Sequence, residues 1–137
     1  MKSTFAGVDL VSDEFAETVR SSLQRVEDLL LAELSSGDDV MTEAATHLAK
    51  AGGKRFRPMF AVLAAQFGER PDADEVITSA TVVEMIHLAT LYHDDVMDEA
   101  PLRRGAPSAN ARWSNSVAIL SGDFLFCLLY TSPSPRD

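Results

Sequence analysis

Along this chain apolar residues return at steps of three and four, and the two-residue alternation of strands is absent. Phe15, Val19, Leu23, Val26, Leu30 and Leu34 draw one stripe down a long first helix. Ser12 is placed to cap it, with Asp13 and Glu14 in the first turn, where the helix dipole favours negative charge. The polar run 35–37 ends it. A second helix is predicted to start at Asp38 or Asp39, to turn Met41, Ala44, Ala45 and Leu48 inward, and to stop at Gly52-Gly53. Pro58 suits the first turn of a third helix reaching about residue 67. After the turn at Arg70-Pro71-Asp72, a fourth helix is predicted over 73–98 and a fifth over 116–126. The pattern predicts an all-α domain without repeats.

The fourth helix carries the chemistry. His87, Leu91, Asp94 and Asp98 follow one another at steps of four, three and four and so share a face, with Asp95 beside them. Carboxylates one helical turn apart repel each other, and a cation normally offsets the repulsion. Met85, Ile86, Leu88, Ala89, Leu91, Val96 and Met97 make this helix apolar nearly all round. That predicts a helix inside a bundle, with buried acids that need a counter-ion. A donor set of carboxylate oxygens suits Mg²⁺, which takes its remaining ligands from water and phosphate. Beyond the Pro101 turn, Arg103 and Arg104 bring two guanidinium forks that match phosphate oxygens. A second basic run spans Gly52 to Pro58; its glycines allow close backbone approach, and Lys54 and Arg57 are spaced to grip one anion. Taken singly, each has a plain alternative: a solvated acidic helix end, and a basic surface loop.

Composition narrows the partners. The net charge of −9 excludes a general nucleic-acid or anionic-membrane surface, so the two tight basic clusters point to specific anion sites. No stretch is long and apolar enough for a signal peptide or a transmembrane helix, and the single Cys127 rules out an internal disulfide framework. A cytosolic (cytoplasmic) protein is expected.

Three motifs in register carry a family resemblance. GGKRFRP at 52–58, EMIHLATLYHDDVMDEAPLRRG at 84–105 and SGDFLF at 121–126 resemble the trans-polyprenyl diphosphate synthases. The resemblance implies an all-α isoprenoid-synthase bundle, of which residues 1–126 are the N-terminal part, working as a homodimer or heterodimer. It implies that Asp94 and Asp98 hold Mg²⁺ on an allylic diphosphate, that Asp95 assists, and that Arg103 contacts the same diphosphate. Lys54, Arg57, His87 and Arg104 are implied to hold isopentenyl diphosphate. In this family bulk just before the first aspartate limits chain growth; Ala89 and Thr90 are small, so a product beyond the farnesyl stage is expected.

The chain departs from the family after Phe126. Residues 127–137 match the in-frame translation of a transposon-end adapter used in sequencing libraries, and the run Ser132-Pro133-Ser134-Pro135 would break a helix. This tail is expected to be non-native. The family's second aspartate-rich motif does not occur in the sequence, so the polypeptide as written is expected to be inactive and prone to aggregate.

Three other readings explain less. An HD-type metal phosphohydrolase accounts for His93-Asp94 but leaves GGKRFRP and the Arg103-Arg104 pair unexplained, and His47 and His87 are the only other histidines. A non-catalytic partner subunit would not keep all three aspartates. A terpene cyclase would not need an isopentenyl diphosphate loop.

Overall fold

A computed structural model describes residues 3–5, 8–10, 13–37 and 39–131. The main elements are helical: α1 (Asp13–Leu34), α2 (Asp39–Lys50), α3 (Phe56–Ala65), α4 (Asp74–Met97), the short α5 (Ala109–Arg112) and α6 (Asn115–Thr131). Two antiparallel hairpins accompany them, β1 (Ser3–Phe5) with β2 (Val8–Leu10) and β3 (Leu102–Arg103) with β4 (Ala106–Pro107). Strands of two or three residues are too short to show an alternating pattern, which is why periodicity did not predict them.

The chain divides into two compact units, one built from residues up to Leu30 with Lys54–Glu84, the other from Leu31–Gly53 with Met85 onward. In the first, the stripe of α1 meets α3: Ala16, Val19 and Leu23 pack with Met59 and Val62, with Phe15 and Leu63 at the edge. One turn on, Val26 packs with Ile77 and Ala80 of α4. Of the predicted stripe, Val19, Leu23, Val26, Leu30 and Leu34 are buried and Phe15 half-buried. The expected Ser12 cap and the Asp38 start lie outside the described residues.

In the second unit α2 packs on α6 and α5. Ala44, Ala45, Leu48 and Ala49 are buried on α2, while Met41 stays half-buried. Small residues on this face let the helices approach closely. Gly37 does the same for Phe124, whose ring would meet a Cβ there at 3.1 Å. Arg112 ties α5 to α2 through Glu43 at 2.8 Å.

One boundary and one burial pattern differ from expectation. Helix α6 continues past Phe126 to Thr131, because Cys127-Leu128-Leu129 contains no helix breaker and the first proline comes at Pro133. Residues 132–137, with the expected Ser-Pro-Ser-Pro break, lie outside the described residues. The α4 face was expected to bury its acids; Asp95 is buried, but Asp94 and Asp98 are exposed. The reason is position: all three fall at the helix end, where side chains no longer face a neighbour on every side.

Candidate diphosphate and metal site

The acidic end of α4 is shaped by how the helix stops. Glu99 takes a left-handed conformation (φ 52°). The Ala100 amide then donates to the Asp95 carbonyl at 2.9 Å and the Glu99 amide to that of Val96 at 3.3 Å. This pair of bonds is a Schellman stop, here made without glycine. It leaves Asp94, Asp95 and Asp98 in and just beyond the last turn, at the negative end of the helix dipole, with no basic residue in that turn. Helix polarity and mutual repulsion both disfavour three carboxylates there, so positive charge from outside the helix is required.

The β3–β4 hairpin supplies part of it. Arg104 and Gly105 form its two-residue turn, with φ of 54° and 76°, the double positive φ of a type I′ turn. The hairpin folds back on the helix end: the Ser108 amide donates to the Pro101 carbonyl at 3.0 Å, and the side chains of Ser108 and Asn110 donate to the Ala100 carbonyl at 2.5 and 3.1 Å. Arg103 thereby reaches Asp95, its Nε donating to Oδ1 at 2.8 Å and its Nη2 to the same oxygen. This hydrogen bond, the largest effect, raises the Arg103 guanidinium above its ordinary range; burial opposes it next, and the charges of Asp95, Asp94 and Asp98 add to the rise. The other Asp95 oxygen, Oδ2, is buried without a partner.

Arg104 goes elsewhere. Its Nη1 donates to the carbonyls of Leu48, at 3.0 Å, and Gly52. These carbonyls at and just beyond the end of α2 lack partners within the helix, so Arg104 caps α2. The neighbouring arginines therefore do different work: one answers a carboxylate, the other a helix end.

Asp94 and Asp98 are exposed, one turn apart, and neither carboxylate is engaged by a hydrogen bond or ion pair among the described residues. They fit an oxygen-seeking dication in donor type and charge. Among the described residues no group of three or more His, Cys, Asp or Glu side chains is arranged to hold a metal ion. His87 is half-buried on the same helix; Ala89 is fully buried, and Thr90 is exposed with its hydroxyl on the His87 carbonyl at 2.6 Å.

Behind the acids, Tyr92 holds the helix in place. It is fully buried; its hydroxyl donates to the carbonyls of Ala44 (2.5 Å) and Ala45 (3.0 Å) and accepts from the Leu48 amide at 3.3 Å. Burial pushes its pKa up from 10.0 to about 12. The folded state thus holds the proton more tightly than the unfolded chain. The stabilisation is complete below pH 10 and is lost as pH rises toward 12, by up to about 2–3 kcal/mol. Thermal melts across that window should show the fall, and Tyr92→Phe should remove this component; an unchanged alkaline slope would count against it.

His93 packs the same helix on α6. Its Nε2 lies 3.1 Å from the Ile119 carbonyl and 3.3 Å from Asp123 Oδ1. Gly122 leaves room for the ring, since a Cβ there would sit 2.3 Å from Nε2. The His93-Asp94 pair is thus half structural: the histidine faces α6, not a shared metal position, which removes the main support for the phosphohydrolase reading.

From Lys54 onward the basic run belongs to the other unit. Lys54 and Arg57 are exposed, and the Lys54 ammonium lies 5.6 Å from the centre of the Phe56 ring. Arg55 between them turns inward. Its Nε and Nη2 reach the two oxygens of Glu27 at 2.9 and 3.1 Å, and its Nη1 reaches Glu84 at 3.2 Å. Sequence reasoning missed this cluster. The available signal was Glu84 itself, a lone carboxylate in the apolar run from Val82 to Ile86, where an acid is tolerated only when paired.

Comparison with known proteins agrees with the motifs. A model of the polyprenyl synthetase family matches residues 38–133. The chain is 62% identical over 120 residues to the nonaprenyl diphosphate synthase of Mycobacterium tuberculosis, a match covering 88% of this chain and 36% of that protein. The solved heptaprenyl diphosphate synthase of Staphylococcus aureus superposes with a TM-score of 0.80 at 36% identity, over 86% of this chain and 39% of that one. The geranylgeranyl pyrophosphate synthase of Corynebacterium glutamicum, solved with calcium and isoprenyl diphosphate, gives 0.76 at 54% identity, over 90% and 37%. The chain therefore spans little more than a third of the length of the relatives it matches.

Proposed function

From the premise that this chain belongs to the polyprenyl synthetase family, we propose that it carries the first diphosphate-binding wall of a trans-prenyltransferase, an enzyme that joins isopentenyl diphosphate to an allylic diphosphate. The observation that carries this reading is the end of α4, where two unengaged carboxylates, Asp94 and Asp98, stand beside an arginine already fixed by Asp95. The activity is that of the whole enzyme, a cytoplasmic homodimer or heterodimer; this chain spans about a third of the length of its relatives.

Each residue's work follows from its chemistry. Asp94 and Asp98 hold Mg²⁺. When bound, that ion would supply Lewis-acid neutralisation of diphosphate charge; the Corynebacterium glutamicum relative was solved with calcium and isoprenyl diphosphate. Arg103, kept cationic and oriented by Asp95, stabilises the same developing charge with a donor that needs no reorganisation. Lys54, Arg57 and His87 are assigned to the diphosphate of the homoallylic partner; Arg104, whose Nη1 is spent on the end of α2, is assigned to it only through the remainder of its guanidinium. Departure of diphosphate breaks the allylic carbon–oxygen bond. The alkene of isopentenyl diphosphate attacks that carbon, a proton leaves to the released diphosphate, and the product grows by one isoprene unit. No protein nucleophile takes part.

Thr90, exposed one turn before Asp94, and Ala89 beside it are both small, which favours a long chain, and heptaprenyl and nonaprenyl synthases are among the relatives. The test is product analysis of the full-length protein given isopentenyl diphosphate, a dimethylallyl primer and Mg²⁺. The expected result is prenyl diphosphates longer than farnesyl. Hydrolysis alone would overturn the function, and a product ending at farnesyl would overturn the chain-length reading only.

A further inference from the structure

We propose that Arg55 is a positioning residue: by occupying the carboxylates of Glu27 and Glu84 it keeps its neighbours Lys54 and Arg57 turned to solvent and available to a diphosphate. The inference rests on the reading of the loop given above. Three observations support it. Glu84 is only 2% exposed, so it requires a cation at close range. Arg55 meets that need with a forked grip on Glu27 and a third contact on Glu84, and its side chain is 13% exposed as a result. To do so it takes a left-handed conformation, φ 52° and ψ 37°, at the start of α3. That conformation is costly for a residue with a Cβ and persists only where surrounding contacts demand it.

The charge arithmetic gives the arrangement its consequence. Arg55 faces two carboxylates at once, so its removal takes a cation away from both. If Arg55 is removed, the cations adjacent in the chain are Lys54 and Arg57. Each is long enough to turn inward, and each so captured is lost to an incoming diphosphate, which the freed carboxylates would also repel. Arg55 binds no substrate. It decides whether its neighbours can.

The test uses the full-length protein and steady-state kinetics with isopentenyl diphosphate as the varied substrate. Lys54→Ala and Arg57→Ala should each raise KM about tenfold or more, as loss of a charge-assisted contact does. Arg55→Gln should raise KM by a similar factor with kcat unchanged. Adding Glu27→Gln to Arg55→Gln should bring KM part of the way back, because one of the two competing charges is gone; a purely structural role predicts no such rescue. In the Lys54→Ala/Arg57→Ala background, Arg55→Gln should have little further effect. If Arg55→Gln does not fold, Arg55→Lys, which keeps the charge but loses the fork, takes its place with the same expected direction. A KM unmoved by the Arg55 substitution, while Lys54→Ala raises it, overturns the proposal and leaves the loop's role standing. A KM unmoved by Lys54→Ala and Arg57→Ala overturns both.

Discussion

Replacing Asp94 or Asp98 by asparagine in the full-length protein should cut kcat by about 10³-fold, the scale on which removal of preorganised charge stabilisation acts. Both carboxylates are exposed at the negative end of α4, and neither is used in a hydrogen bond or ion pair among the described residues. Their removal should therefore not cost folding stability. It should slightly raise it, since like charges one turn apart repel and the helix dipole opposes them. The joint outcome is the diagnostic: a large fall in activity, a higher Mg²⁺ concentration for half-maximal rate, and an unchanged or higher melting temperature. An acidic surface of no functional importance would show the stability effect without the kinetic one, and that result would defeat the metal-site reading.

Asp95→Ala should behave in the opposite way. Asp95 is 1% exposed, and its Oδ1 accepts both Arg103 donors. Breaking a buried ion pair by removing one partner typically costs about 3–5 kcal/mol. Arg103 keeps 30% of its side chain exposed and can swing into water, so a loss of about 2 kcal/mol is the better expectation. That should appear as a melting temperature lower by about 3–5 °C in the full-length protein. Function should fail through Arg103: with its orienting carboxylate gone, KM for the allylic diphosphate should rise more than the Mg²⁺ requirement does. Asp95 would then be a positioning residue between two metal ligands. Should Asp95→Ala shift the Mg²⁺ requirement as strongly as Asp94→Asn, Asp95 must be a ligand itself, and the structure's pairing with Arg103 would not be the working one.

The helices were legible because burial repeats with the helical period. The α1 stripe, the inner face of α2 and the placing of α3 and α4 follow from apolar spacing and from Pro58 and Gly52-Gly53 as punctuation. The site residues were legible as motifs, because carboxylates one turn apart and paired arginines are set by covalent order. Which members pair was not legible. Asp94, Asp95 and Asp98 are equivalent in composition, yet a Schellman stop and a two-residue hairpin bury Asp95 on Arg103 and leave the others open. Arg103 and Arg104 are adjacent, yet the first ends β3 and the second opens the turn with a left-handed backbone, which sends one to a carboxylate and the other to the end of α2. Arg55 sits between two exposed cations in one continuous basic run and is the one that turns inward. The sequence by itself determined the helical framework and the kinds of charge gathered at each of its ends. Only the tertiary structure decided which charges neutralise one another and which remain free for a ligand, because that depends on backbone direction at three left-handed residues, Arg55, Glu99 and Arg104, none of them glycine.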